Sequence, residues 1–154
     1  MSAPVSLKDV VDAMDFQSDE MTNYLNRRTG EIVPIAGEDL RFAERQDLDL
    51  AAVPDQQHES VLKAREVLGS ADFEPLPDAS EIDEWGIMER FAISQTSRST
   101  RSELIDAIHG RGAFRIFKDC VRRLGIEEDW VRFRAIAFEE IARDWLDEHG
   151  ITYV

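Results

Sequence analysis

The chain has 154 residues, of which 43% are hydrophobic and 32% charged, a balance typical of folded globular proteins. No apolar run exceeds four residues, whereas a membrane-spanning helix needs about 20. The formal net charge of −14 argues against extensive binding to nucleic acid or anionic lipid. No basic region followed by an apolar stretch opens the sequence, so we expect a cytosolic protein. The single cysteine, Cys120, excludes an intrachain disulfide framework.

The charge is unevenly distributed along the sequence. Residues 38–89 contain 15 acidic and four basic side chains, whereas residues 111–124 contain five basic and one acidic. An acidic protein therefore carries one basic segment, and that segment is the first place to look for an interaction surface.

A short helix followed by a β-hairpin is predicted for the N-terminal region. Ser6 can cap a helix that runs over about residues 6–15. Residues 22–26 and 31–35 then have the composition of two strands, and Gly30 between them can take the positive φ of a hairpin turn.

The hairpin needs further elements around it, because two strands alone are marginally stable in water. Pro34 has no amide hydrogen, so its strand should be an edge strand. Residues 73–77 are the candidate third strand. Between the hairpin and this candidate strand, a densely acidic segment over residues 38–50 precedes a helix at about 56–68. The predicted inward face of that helix is Val61, Ala64 and Leu68.

Four main helices are predicted after residue 80. Ser80 opens the first, and residues 100–103 match a capping box for the second. The third ends at Gly125, and the fourth runs from about Glu127 to His149. The apolar positions predicted to face inward are Ile82, Trp85, Met88 and Phe91 or Ala92; Leu104, Ile105 and Ile108; Phe114, Phe117, Cys120, Val121 and Leu124; and Trp130, Phe133, Ala137, Ile141 and Trp145.

Gly125 and Gly150 each follow a helix and precede an isoleucine. A glycine in the left-handed conformation followed by an apolar residue that folds back onto the helix is the Schellman arrangement. We predict this ending for both helices.

Recognisable catalytic and metal-binding patterns are absent from the sequence. His58, His109 and His149 have no second ligand at helical or turn spacing, so no metal site is predicted. Cys120 should point inward and be inert. Residues 110–112 lack the third glycine of a dinucleotide loop and are interpreted as a helix stop. We predict no catalytic residue and no cofactor.

The enzyme hypothesis rests on a cluster of acidic residues. Asp78, Glu81, Asp83 and Glu84 cluster beside Trp85. A small hydrolase or transferase could use the first three in a pocket expected between the hairpin and the helices. We favour the simpler interpretation of a charged helix start whose tryptophan faces the core.

The basic segment supplies the best candidate binding site. Arg111, Arg115, Lys118 and Arg122 recur at intervals of four, three and four residues, which places them along one helix face. They could contact phosphates or carboxylates. Asp119 can instead pair with neighbouring arginines, and we favour such a salt-bridge network or a solvated face over ligand contact.

Four strings together resemble a bacterial uncharacterised protein family, the one numbered 0158. They are residues 24–33, residues 110–119, Trp130 with residues 133–134, and residues 140–146 followed by 149–151. The resemblance covers about residues 5–151. Because the family has no assigned activity, it implies no catalytic residues.

The resemblance implies one domain, and it suggests roles for two groups of residues. Arg134 would join Arg111, Arg115 and Lys118 in a positive face, whereas Trp130 and Phe133 would anchor the last helix onto the preceding one.

The expected fold is α+β, with an N-terminal helix and β-hairpin packed against a mainly helical C-terminal layer. We expect a single domain over 1–154, with one layer from 1–80 and the other from 81–154. The predicted function is a non-enzymatic cytosolic interaction or regulatory domain with an unidentified protein partner. A nucleic-acid-associated protein and a small hydrolase or transferase are the alternatives. The candidate binding residues are Arg111, Arg115, Lys118, Arg122 and Arg134.

Overall fold

A computed structural model describes residues 4–16, 18, 20–45 and 50–154. It confirms the α+β prediction, with several helices and one small antiparallel sheet. The chain separates into two compact units. The first runs up to Ala79 and also includes Ala142–Val154, and the second is Ser80–Ile141.

Helices and strands are mixed in the first half of the described chain, and helices make up most of the second. In chain order the elements are α1 (Leu7–Asp15), β1 (Met21–Asn26), β2 (Ile32–Ala36), α2 (Gly37–Glu44), α3 (His58–Leu68), β3 (Phe73–Pro75), α4 (Ala79–Ile82), α5 (Glu84–Ser94), α6 (Arg98–Ile108), α7 (Ala113–Arg123) and α8 (Glu127–Glu148). Short 3₁₀ turns at Leu50–Ala52 and Asp55–Gln57 precede α3. No helix within the described ranges is long and apolar enough to cross a bilayer.

The three-stranded sheet has the order β2-β1-β3, and both pairings are antiparallel. The hairpin and the third strand are thus confirmed. Gly30 has φ 79° in the connecting turn, as its position predicted. Pro34 lies on the edge strand β2, where its missing amide hydrogen costs no sheet hydrogen bond.

The two faces of the sheet meet different helices. Tyr24 packs with Val33 and Ile35 against buried residues of α3. Successive side chains of a strand point to opposite faces, so Asn23 faces the other way. Asn23 is buried, and its Nδ2 donates a 2.9 Å hydrogen bond to the carbonyl oxygen of Ala13 near the end of α1.

The two ends of the described chain meet in the first unit. The Ser6 hydroxyl accepts a hydrogen bond from the amide of Asp9, which confirms the predicted helix start. Val5 donates from its amide to the Thr152 carbonyl oxygen at 3.0 Å, and Val154 donates to Val5 at 2.8 Å. Helical periodicity does not predict contacts between residues so distant in sequence.

Residues 38–50, which have the composition of an acidic segment, contain a helix. It is α2, and it packs against α3; residues 46–49 lie outside the described residues. In α3, Val61 and Ala64 are buried as expected, but Leu68 is exposed and Val67 is buried instead. The buried positions of α3 recur every three residues, so the inward face includes Val67 rather than Leu68.

The helix predicted from Ser80 is interrupted at Asp83. This residue has φ 51°, and its carboxylate accepts a hydrogen bond from the amide of Gly86, so α5 begins after it. A β-carbon at position 86 would lie 2.5 Å from Asp83 Oδ2. Glycine at this position therefore leaves room for the capping carboxylate.

The predicted capping box at residues 100–103 is wrong. Ser97 caps α6 instead, and its hydroxyl accepts from the amide of Thr100. Leu104 and Ile108 are buried as expected, whereas Ile105 is only partly buried. A serine three residues earlier supplies the same capping chemistry, so capping preference alone does not distinguish the two starts.

Both Schellman endings are confirmed. Ile126 donates from its amide to the Val121 carbonyl oxygen at 2.9 Å, and Gly125 has φ 71°. At the end of α8, Ile151 donates to Leu146 at 2.9 Å. These bonds satisfy carbonyl groups that a helix end would otherwise leave unpaired.

The layers expected at residues 1–80 and 81–154 stay a prediction. The chain after Ile141 belongs with the N-terminal unit, so α8 contributes residues to both units. A single domain over 1–154 stays a prediction.

Replacing Asn23 with alanine should lower the free energy of unfolding by about 1–3 kcal/mol, because it leaves the Ala13 carbonyl without its partner. Thr22→Ala, on the opposite face of β1, should cost less than about 1 kcal/mol. Urea unfolding monitored by circular dichroism measures both. Equal losses for the two variants would contradict a stabilising role for the Asn23 bond.

Candidate functional site

The orientation of α7 is set by Phe117. Its side chain is 0% exposed, and its ring lies 4.8 Å from that of Trp130 and 6.2 Å from that of Phe91, measured between centroids. Phe133 also packs against Phe91, at 5.3 Å. The packing of Trp130 on α7 is as expected, and the partner of Phe133 is on α5.

Phe114, predicted to face inward with Phe117, is instead 47% exposed. It is the second residue of α7, and helical side chains lean toward the N-terminus of their helix. The ring therefore projects over the turn at residues 110–112.

Three exposed cations lie within four residues of Phe114 in the sequence. The side chains of Arg111, Arg115 and Lys118 have neither a hydrogen bond nor an ion pair with any residue that the structure describes. At about 100° per residue, Phe114, Arg115 and Lys118 fall within one arc of about 100° on the helix surface. We call the surface formed by Arg111, Phe114, Arg115 and Lys118 the α7 basic face.

Arg122 and Arg134, the other two candidate residues, are held by neighbouring acids. Arg122 Nε lies 3.2 Å from Glu127 Oε2 in an exposed pair. Arg134 Nε donates a 2.6 Å hydrogen bond to Glu84 Oε1, and its guanidinium carbon lies 4.1 Å from the centroid of the Phe138 ring. Both arginines therefore have local partners, which sequence spacing alone did not reveal.

The expected partner of the arginines, Asp119, does not account for the pairs in the structure. Arg123 pairs instead with Glu103 of α6 at 3.1 Å, and this hydrogen bond raises the pKa of the Arg123 guanidinium. The internal network thus forms at the C-terminal end of α7. It does not extend to Arg115 or Lys118 within the described residues.

The two ends of α7 differ in how the helix dipole interacts with their charged side chains. The positive end of the helix dipole is at the N-terminus, where acids stabilise and bases destabilise by about 0.3–1 kcal/mol each. The first turn of α7 contains no acid but does contain Arg115, while Arg122 and Arg123 occupy the favourable last turn. The placement of the C-terminal arginines is explained by stability, whereas that of Arg115 is not.

Cys120 is buried, as predicted. Burial raises the pKa of its thiol, and the nearby Arg123 guanidinium opposes this shift in part. It lies at a groove of about 520 Å³ between α6 and α7 that Glu103, Asp106 and Asp119 also line. A thiol with a raised pKa is a poor nucleophile near neutral pH.

The three histidines all bond to backbone carbonyl groups. His58 donates to Val53, His109 to Ile105 and His149 to Trp145, at 2.6–2.7 Å. Within the described part of the chain, no three or more His, Cys, Asp or Glu side chains are grouped so as to hold a metal ion.

The acidic cluster of the enzyme hypothesis is exposed. The side chains of Asp78, Glu81 and Asp83 all face solvent, and Asp83 caps α5. Trp85 is partly buried, and its Nε1 donates a 2.9 Å hydrogen bond to the Ile108 carbonyl oxygen at the end of α6. The contacts of Asp83 and Trp85 thus serve the local structure.

Comparison with known proteins places the chain in a family. The model of the uncharacterised protein family UPF0158 matches residues 2–154. The chain belongs to this family. No curated protein and no solved structure matches it. The family assignment covers all four strings on which the resemblance rested, and its description gives no activity.

The importance of Phe114 was missed in the sequence, although a signal was present. Phe114 is the second residue of α7, and only Ala113 separates it from the Gly-Arg-Gly turn. This position favours a ring at the end of the helix rather than in the core. Apolar periodicity predicts which side of a helix faces the core. It does not predict whether a neighbouring element extends far enough along the helix to cover a residue at its end.

The two phenylalanines of α7 should respond differently to truncation. Phe117→Ala should lower the free energy of unfolding by about 3–5 kcal/mol, because it leaves a cavity in the aromatic cluster. Phe114→Ala should cost less than about 1 kcal/mol, since much of this side chain is already in water. Urea unfolding compares the two. A greater loss for Phe114→Ala would contradict the described orientation.

Proposed function

We propose that this protein is a non-enzymatic interaction domain whose α7 basic face binds an acidic segment of a partner protein. The observation that carries the proposal is an exposed aromatic ring beside three cations with no ion-pair partner in the described chain. Aromatic and arginine side chains are enriched at protein interfaces. Carboxylates offer the complementary charge.

The net charge of the protein also bears on the choice of partner. A chain with a net charge of −14 that leaves Arg111, Arg115 and Lys118 unneutralised keeps a local positive field on an acidic body. Charges of opposite sign on one protein orient an incoming partner, because the acidic surfaces repel an acidic segment that approaches elsewhere.

The placement of Arg115 in the first helical turn is a second support. It is unfavourable for α7 in isolation. Local choices that lower stability with no compensating contact are expected at functional surfaces. A bound carboxylate beside Arg115 would remove this cost, since an anion at the helix N-terminus is favourable.

Single-stranded nucleic acid is a second candidate partner. Phe114 next to Arg115 and Lys118 resembles the combination of a stacking ring and phosphate-binding cations. The net charge of −14 opposes it. The small hydrolase or transferase stays an alternative without a supporting observation of comparable strength.

Fluorescence anisotropy can test both partners. The probes are a fluorescein-labelled peptide of alternating glutamate and leucine and a labelled oligo-dT of similar charge. We expect saturable binding of the peptide, weakened about tenfold by the double substitution R115E/K118E and several-fold by F114A. The oligo-dT should bind more weakly, with a steep salt dependence.

The matched control is R90E/R98E, which changes the net charge equally at two exposed arginines of α5 and α6. It should change peptide affinity by less than about twofold. No saturable peptide binding at low salt would overturn the proposal, as would equal losses for the two double variants. Tighter binding of oligo-dT would favour the nucleic-acid alternative.

A further inference from the structure

A second site is indicated in the first unit, between the sheet and the pair α2 and α3. A cavity of about 370 Å³ is located there, within the range of small-ligand sites. Its lining combines an apolar wall with charged and hydroxyl side chains. The lining residues are Met21, Pro34, Ile35, Ala36, Asp39, Glu59, Ser60 and Lys63.

Asp39 is the unusual member of this lining. It is only 9% exposed, yet no hydrogen-bond or ion-pair partner for its side chain lies within the ranges that the structure describes. Its carboxylate oxygens keep contact with solvent, since no fully buried side-chain oxygen of the described residues lacks a hydrogen-bond partner. Burial, and then the negative charge of Glu38, raise the pKa of the Asp39 carboxyl. A cation bound near Asp39 would lower the pKa of this carboxyl again, because it would stabilise the charged form.

The cation already present at the cavity does not fill this role. Lys63 lines it, but its Nζ lies 3.5 Å from Glu66 and 5.8 Å from the centroid of the Phe73 ring. Glu59 adds a second carboxylate, and Ser60 a hydroxyl acceptor. Carboxylate and hydroxyl acceptors therefore line a space large enough for a donor group.

We propose that this cavity binds an alkylammonium group, with Asp39 and Glu59 accepting from the ammonium and the apolar lining packing against the aliphatic chain. Three N–H donors on a compact charge suit two carboxylates and a hydroxyl. The apolar wall favours methylene groups over a bare metal ion. The ammonium can belong to a free amine or to a lysine side chain of a peptide.

Amide NMR spectra of the full chain provide the test, with 1,4-diaminobutane and the capped peptide acetyl-Gly-Lys-Gly-amide as separate probes. We expect saturable shifts confined to residues near 21, 34–39 and 59–63. Butan-1-ol, which has the chain but no charge, should give none. Binding of the diamine alone would assign the site to free amines, and binding of the peptide alone to lysine side chains.

The matched substitutions are Asp39→Asn and Glu38→Gln. Both remove one negative charge from the first turn of α2, but Glu38 is exposed. D39N should weaken binding about tenfold and E38Q less than about twofold. Ser60→Leu should also abolish binding, because its side chain fills the cavity while every charge remains; this variant carries the test if D39N fails to fold.

The proposal is overturned if neither probe gives saturable shifts, if butan-1-ol binds as tightly, or if E38Q and D39N weaken binding equally. Its failure would leave the proposed function intact, because the α7 basic face belongs to the other unit. The peptide of alternating glutamate and leucine should cause no shifts at this cavity.

Discussion

The contact between the rings of Phe117 and Trp130 fixes the rotation of α7 about its own axis. With Phe117 held in the aromatic cluster, the helical repeat directs Arg115 and Lys118 toward solvent. Every functional statement about the α7 basic face depends on this rotation. A turn of about 100° in either direction would bury one of the cations or expose the cluster.

The cations of the predicted stripe separate into two groups once the contacts are known. Arg122 and Arg134 bond to acids of other helices. The Arg122 pair is exposed, and such pairs contribute about 0–1 kcal/mol, whereas the Arg134 pair is partly buried. Arg111, Arg115 and Lys118 have no such partner in the described residues. The difference reduces the candidate site to one end of the helix, where Phe114 is also exposed.

Local features of the fold could be predicted from the sequence, because they depend on residues close together in the chain. The turn at Gly30, the edge position of Pro34 and the two Schellman endings are of this kind. The break at Asp83 was missed because a non-glycine residue seldom adopts positive φ. The bond from Arg27 to the His149 carbonyl, at 2.5 Å, joins residues that no local pattern connects.

Hydroxyl-radical footprinting with peptide mass spectrometry tests the rotation of α7 most directly, because it reports the solvent exposure of individual rings in the intact protein. We predict oxidation of Phe114 about tenfold faster than of Phe117, given exposures of 47% and 0%. In denaturant the two rates should converge. Equal rates in the folded protein, or faster oxidation of Phe117, would contradict the described face and remove the proposed binding surface.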